Sequence, residues 1–316
     1  AGLKILLERR DRFNIVTLVR TSEKNRKIMR PYATETGLRI VWGDLTNYED
    51  VLACVTGADI VLHPAAMIAP EADHDPVLAR KINVGSIENI LRAIKAQPDP
   101  DSIKLVNIGS VAMTGDRLYP IHVGRTGDPF KPSIYDAYAC SKIDAERVVA
   151  ESQLKYWVSL RQTFVAIPDT LALMDPIMFH QPLDTCIELC TQHDAGLLLA
   201  NACEDSVPEE FWRRFYNIGG GPNARLTFLA LMERVYGALG LGAPAMLTDR
   251  NWFALRNFHC HWFEDSGTLN EYLHFQTMGV DDYVASVLEG SPWYVTLANK
   301  PVMRTIMRLR PVQRLI

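Results

Sequence analysis

Apolar residues recur at helical spacing in the opening AGLKILLERR and then close into short β-branched runs. These runs are NIVTLV (14–19), RIVWGDL (39–45), DIVLHPAA (59–66), IKLVNIGS (103–110) and WVSLRQTFV (157–165). Between them lie segments with a helical rhythm: NYEDVLACVTG, DPVLARKINVGSIENILRAIKAQ and YDAYACSKIDAERVVAESQL. The strand runs are almost continuously apolar, as strands are when helices cover both faces of a parallel sheet. Strand–helix alternation therefore predicts βαβ units and an α/β, doubly wound parallel sheet.

Beyond about residue 166 the rhythm loosens around Pro168, Pro176 and Pro182. A helical stretch, DAGLLLANACE, and a short strand, FYNIGGG, follow. Residues 250–275 are then crowded with Trp252, Phe253, Phe258, His259, His261, Trp262, Phe263 and His274. The pattern divides the chain into a core domain over 1–166 and a smaller C-terminal lobe over 167–316, with 185–220 returning to the core. The chain opens in a helix with no strand before it and no initiator Met, so the first central strand is expected to lie outside this sequence. Targeting signals are not judged from such a start.

Composition narrows the classes. Of 316 residues, 48% are hydrophobic and 22% charged, ordinary for a globular protein with a substantial core. A net charge of -4 gives no electrostatic reason to expect nucleic acid. The six cysteines (54, 140, 186, 190, 203, 260) form no CxxC pair and read as reduced thiols of a cytoplasmic protein. No apolar run approaches the roughly 18 residues a membrane span needs.

The chemistry concentrates in SIYDAYACSKIDAE, residues 133–146. Tyr138 has a lysine four positions on, Lys142, whereas four beyond Tyr135 stands Ala139. Helical positions i and i+4 share a face, so Tyr138 and Lys142 can serve one site. A tyrosine ionises near pH 10, and an adjacent ammonium favours its phenolate. Such a tyrosine can exchange a proton with a substrate oxygen. Ser110 ends the strand IKLVNIGS, and parallel strands gather ligands at their carboxyl ends. Tyr135, at the start of the helix, is assigned no proton chemistry.

With those residues in view, the chain resembles the extended short-chain dehydrogenase/reductases, the NAD(P)-dependent epimerase/dehydratase group. The resemblance rests on VWGDLTNYEDV, DIVLHPAA, KINVGSIENIL, LVNIGSVAMTG, YACSKIDAE and FYNIGGG in that order. It implies a Rossmann-type fold with a smaller C-terminal substrate lobe. It also implies that Tyr138 is the general acid/base, that Ser110 orients the substrate oxygen, and that Lys142 grips the nicotinamide ribose and lowers the tyrosine pKa. Asp44, with Leu45 beside it, matches the carboxylate that meets the adenine amino group; Ala65 and Ala66 match the small residues against the cofactor. Asn83 matches a helix asparagine, either supporting or catalytic, and Pro168 follows the sixth strand near the nicotinamide amide. Gly2 stands where the last glycine of the G-x-x-G-x-x-G phosphate loop falls, the rest of that loop being absent from the sequence. Arg20 ends NIVTLVR where NAD-binding chains carry an acid, which favours NADP(H) over NAD(H), with Lys24 or Arg26 assisting.

For the substrate, the stretch LRQTFVAIPD lacks the asparagine, tyrosine and glycine that sugar-nucleotide epimerases of the group carry there. The expectation is a carbonyl or alcohol substrate, apolar or aromatic if the rings of 251–263 line a pocket; the other reading is that they pack the lobe. His180 and His193 border the site or face solvent. No metal is expected, although HCHWFED offers His259, Cys260, His261, Glu264 and Asp265, because further ligands at defined spacing are missing. The basic tail KPVMRTIMRLRPVQRLI reads as a terminal helix on the body or on a second subunit rather than a membrane-surface helix. A homodimer is the group's habit. The rivals are a sugar-nucleotide epimerase/dehydratase and a non-catalytic NADP-sensing regulator; the tyrosine–lysine pair argues against the latter.

Overall fold

The computed structural model describes residues 1–117, 123–133, 135–169, 176–256 and 260–291. In chain order the elements begin with α1 (Gly2–Glu8), β1 (Ile15–Val19), α2 (Glu23–Met29), β2 (Leu38–Trp42), α3 (Tyr48–Val55) and β3 (Ile60–His63). Next come α4 (Glu71–His74), α5 (Pro76–Asn83), α6 (Gly85–Lys95), β4 (Lys104–Ser110), β5 (Val123–Gly124), α7 (Ala137–Ala150) and β6 (Tyr156–Gln162). The rest are β7 (Val165–Ala166), β8 (Cys186–Glu188), β9 (Cys190–Thr191), α8 (Gln192–Asn201), β10 (Arg214–Asn217) and β11 (Arg225–Thr227). The last are α9 (Phe228–Ala238), β12 (Trp262–Phe263), α10 (Ser266–Leu273) and α11 (Val280–Gly290).

Four parallel strands form the central sheet in the order β10–β6–β4–β3. β1 and β2 pair in parallel as a separate two-stranded sheet. The expected α/β alternation with a parallel, Rossmann-type sheet is therefore present. Side chains alternate across it. On β4, Leu105 packs with Val51, Ile87, Ile94, Val149 and Trp157 under α3, α6 and α7. Val106 and Ile108 face the other way, into a cluster with Leu198 of α8, Phe211 and Leu273 of α10. Each such fully buried aliphatic side chain contributes about 1.5–3 kcal/mol of transfer free energy.

The elements are shorter than the apolar runs, for local reasons. The run through Asp44 stops pairing at Trp42, because the Asp50 carboxylate accepts from the Asp44 amide at 2.9 Å. Gly43 makes that approach possible, since a Cβ there would stand 2.4 Å from Asp50 Cγ. The long helical stretch over 75–97 divides at Val84, with Asp75 capping α5 by accepting from the Leu78 amide. The run through Val165 splits into β6 and β7, and β7 pairs with β9 rather than with the main sheet. Gly2 begins α1, which lies on α8; a Cβ at Gly196 would stand 2.6 Å from the Ala1 methyl.

Within 185–220, α8 packs on the central sheet and β10 bonds to β6. The smaller lobe has its own core: Ile187, Leu189, Phe228, Leu231, Val235, Phe253, Tyr283 and Val287. Glu188, fully buried, ties it together. Its carboxylate accepts from Gly221 N (3.0 Å), Arg225 Nε (2.8 Å), Phe263 N (2.9 Å) and Ser266 Oγ (2.5 Å). Phe253 and Phe263 are core residues here, while Trp252 is 57% exposed. Phe258, His259 and the basic tail lie outside the described residues. Among the described residues no helix is long and apolar enough to cross a membrane.

Candidate active site

Ser110 is the last residue of β4 and is buried. Its hydroxyl accepts from the Ala112 amide at 3.2 Å, which caps the following 3-10 turn and fixes the side chain. Tyr138 is the second residue of α7. That helix starts where it does because Asp136 accepts from the Ala139 amide at 2.7 Å and Asp73 accepts from the Ala137 amide at 3.1 Å. Two carboxylates at a helix amino terminus also complement its dipole. Burial raises the Tyr138 pKa; the Ser110 hydroxyl pulls it down, and the charge of Asp136 raises it again. Asp136 is itself raised, chiefly by burial, with Asp73 adding to the rise and His180 opposing it.

Lys142 stands one turn beyond Tyr138 and is 3% exposed. Its ammonium donates to the Ile108 carbonyl of β4. Burial brings its pKa down to about 8, and Glu146 opposes the fall. In this structure the ammonium is docked on the strand, and burial, not Lys142, has the largest effect on Tyr138.

Asn83, at the end of α5, bridges two parts of the site. Its Oδ1 accepts from Met67 N at 2.7 Å, and its Nδ2 donates to Met67 O (2.9 Å) and Ser141 Oγ (2.8 Å). It thereby ties the segment carrying Ala65 and Ala66 to the helix carrying Tyr138 and Lys142. Ala65 is exposed and Ala66 half-buried, so only methyl groups guard that backbone. Pro168 sits past β7 on a segment held by α11, where Tyr283 donates its hydroxyl to Ile167 O at 3.4 Å.

A second group gathers at the ends of β1 and β2. Asp44 accepts from the amide and hydroxyl of Thr46, both at 2.8 Å. The amide bond is the main reason its pKa is lowered; Arg20 and Lys81 lower it further. Leu45 accepts from Asn89 Nδ2 at 2.9 Å. Arg20 is exposed and free of any ion pair among the described residues. Gly2 lies at the start of α1 against α8, and none of its near neighbours is a residue of either group.

The sequence reading missed a buried polar line that runs beneath the site. His63 approaches Ser86 Oγ at 3.1 Å and Asn107 Oδ1 at 3.3 Å. Asn107 Nδ2 donates to Ser159 Oγ (3.1 Å), and Ser159 donates to Glu146 Oε2 (2.8 Å). Arg161 closes the line on Glu146 at 2.7 Å and donates to Thr126 O at 2.7 Å. Burial and the nearby Lys142 charge bring His63 down to about 4, so it is neutral. Only Glu146 left a local signal, by standing four residues after Lys142. Cys260 and His261, set aside above as metal ligands, are buried, and His261 Nε2 lies 3.0 Å from Thr114 Oγ1. Among the described residues no three metal-ligating side chains group together.

Residues 4–166 match the NAD dependent epimerase/dehydratase family. The chain belongs to that family. The resemblance to extended short-chain dehydrogenase/reductases is thereby borne out. Over 114 residues the chain is 27% identical to mouse 3 beta-hydroxysteroid dehydrogenase type 7, a match covering 35% of this chain and 30% of that protein. The human protein of that name is 28% identical over the same length. The match thus spans about a third of the length of these relatives. Among solved structures, the dTDP-glucose 4,6-dehydratase of Bacillus anthracis, in complex with NAD, superposes with a TM-score of 0.70 at 14% identity. That superposition covers 92% of this chain and 93% of the other. The UDP-glucuronic acid 4-epimerase of Bacillus cereus, also with NAD, gives 0.67 at 15% identity, covering 94% and 95%. At such identities the likeness carries the fold.

Proposed function

We propose that this chain is an NAD(P)-dependent oxidoreductase that interconverts an alcohol and a ketone on an apolar, steroid-like or aromatic substrate. The observation that carries the reading is the meeting of α7 with the end of β4, where Lys142, one turn beyond Tyr138, donates to Ile108 O two residues before Ser110. The residues present suit a nicotinamide dinucleotide: Lys142 and Tyr138 for the nicotinamide ribose, Ala65 and Ala66 for close approach, Asp44 for adenine. When bound, that group supplies or takes up the hydride. Tyr138 gives its proton to the substrate oxygen during reduction and takes it back during oxidation. Ser110 donates to the same oxygen and holds it in line, and Lys142, docked on Ile108 O, pins α7 to β4.

Three exposed apolar side chains support an apolar substrate. Ile68 (56% exposed) follows β3, Tyr135 (83%) precedes α7 and Ile167 (46%) follows β7. All belong to segments adjoining the site. The absence of the sugar-nucleotide motif after β6 and the names of the curated relatives point the same way. Arg20, unpaired at the end of β1, supports NADP(H) over NAD(H). A homodimer and a cytoplasmic location remain part of the proposal, from the resemblance and the free thiols.

A second reading, sugar-nucleotide epimerase or dehydratase, is favoured by the names of the structural neighbours. One panel separates the two. The full-length protein is assayed with NADPH, NADH and their oxidised forms against hydroxysteroids, apolar ketones, and UDP- and dTDP-sugars. Cofactor-coupled turnover of the apolar carbonyls is expected. Turnover confined to nucleotide sugars would replace the first reading by the second.

A further inference from the structure

Helix α7 carries a second buried charge that the chemistry above does not use. Glu146 stands one turn beyond Lys142, and the two residues are 2% and 3% exposed. Its carboxylate is gripped from β6. Ser159 Oγ donates to Oε2 at 2.8 Å, Arg161 Nε to both oxygens at 3.1 and 3.2 Å, and Arg161 Nη2 to Oε1 at 2.7 Å. Room for the group exists because residue 109 is glycine; a Cβ there would stand 3.1 Å from Oε2. The preceding residue, Ile108, offers its carbonyl to the Lys142 ammonium.

A buried ammonium needs a fixed counter-charge, or it loses its proton. The groups around Lys142 make Glu146 the candidate. From β3 comes His63, held neutral, and from α6 the uncharged Ser86. From β6 comes Arg161, already paired with Glu146 and stacked over Phe215 at 5.2 Å. Tyr138 lies one turn back on α7. Arg80 of α5 is occupied by Asp144, and Asp73 and Asp136 cap the start of α7. Glu146 is therefore the one buried carboxylate among these groups.

We propose that Glu146 is a positioning residue: its anchored carboxylate keeps Lys142 protonated and docked on β4, and Arg161 sets how much of that charge the lysine feels. The value of this to catalysis rests on the reading of Lys142 as the cofactor-holding residue. The test does not depend on that reading. Full-length protein labelled with 13C at the lysine ε-carbons is titrated by NMR without cofactor, and the Lys142 signal is assigned by its loss in Lys142→Arg. In Glu146→Gln the Lys142 midpoint should fall by about 1 pH or more, the usual effect of removing a close opposite charge. Arg161→Gln leaves Glu146 unshared and should move the midpoint up. Glu146→Asp, which keeps the charge, should hold it near the parent value. A midpoint that stays or rises in Glu146→Gln, or that falls in Arg161→Gln, overturns the proposal. Should Glu146→Gln fail to fold, the sign of the Arg161→Gln change alone decides. A purely structural role would lower stability in both variants and move neither midpoint. A protein inactive on the whole substrate panel would sink the proposed function and leave this titration standing.

Discussion

The Lys142 ammonium donates to the main-chain carbonyl of Ile108, two residues before Ser110. The helix that carries Tyr138 is thus pinned to the strand that carries Ser110. Four successive residues at the end of β4 share this work. Asn107 links His63 to Ser159, Ile108 receives Lys142, Gly109 leaves space for Glu146, and Ser110 caps the turn that follows. One strand end therefore sets the relative position of Tyr138, the Lys142 ammonium and Ser110.

Asn83→Ala should loosen the site from its edge. The substitution removes the bonds to Met67 N, Met67 O and Ser141 Oγ and leaves buried polar groups unsatisfied. A loss of about 1–3 kcal/mol of stability is expected, read from urea denaturation. Cofactor affinity should fall with it, because the Ala65–Ala66 backbone loses its tie to α7. Unchanged affinity would remove Asn83 from the cofactor account.

His63 predicts a specific acid sensitivity. Its folded pKa is lowered from 6.5 to about 4, so the unfolded chain binds the extra proton first as pH falls. Stability from this residue is complete above pH 6.5 and is lost progressively down to pH 4. The loss amounts to about 3 kcal/mol at the usual 1.36 kcal/mol per unit. His63→Gln, which cannot take up that proton, should flatten the stability profile over this window. Parallel profiles for the two proteins would contradict it.

Arg20→Glu should exchange cofactor preference. An acid at the end of β1 accepts from a ribose hydroxyl and repels a 2′-phosphate. The ratio of NADPH to NADH affinity should fall at least about tenfold, as an altered phosphate contact of 1.4 kcal/mol or more requires. Nicotinamide fluorescence titration measures it. A parent protein that already prefers NADH would refute the role given to Arg20.

Glu188→Ala should act on the small lobe alone. It removes the acceptor of Arg225 Nε and of three further donors around a buried site. Breaking such a pair costs about 3–5 kcal/mol, visible as a lowered melting temperature. A melting temperature equal to that of the parent would show that the donors find other partners.

The fold was legible where the signal is local. Continuous β-branched runs marked β1 to β4 and β6, and the spacing of Tyr138 and Lys142 marked a helix face. Boundaries were not legible, because they depend on distant atoms: the Asp50 carboxylate ends the run before Asp44, and Asp136 starts α7 after Tyr135 rather than before it. Tyr135 accordingly stands outside the helix, 83% exposed. Within the site, Lys142, one turn beyond Tyr138, docks on the strand that ends in Ser110. The polar line through His63, Asn107, Ser159 and Arg161 was hidden, because three parallel strands bring together residues far apart in the chain. The effect of Lys142 on Tyr138 was read from spacing alone, whereas the side chain turns to Ile108.

The central claim is that Tyr138 moves the proton at the substrate oxygen. Tyr138→Phe keeps the ring and removes the hydroxyl. The decisive measurement is its turnover beside its cofactor affinity, on a substrate the parent enzyme uses. Affinity should be unchanged and turnover should fall by at least about 100-fold, the scale of acid/base contributions. Turnover equal to that of the parent would contradict the assignment.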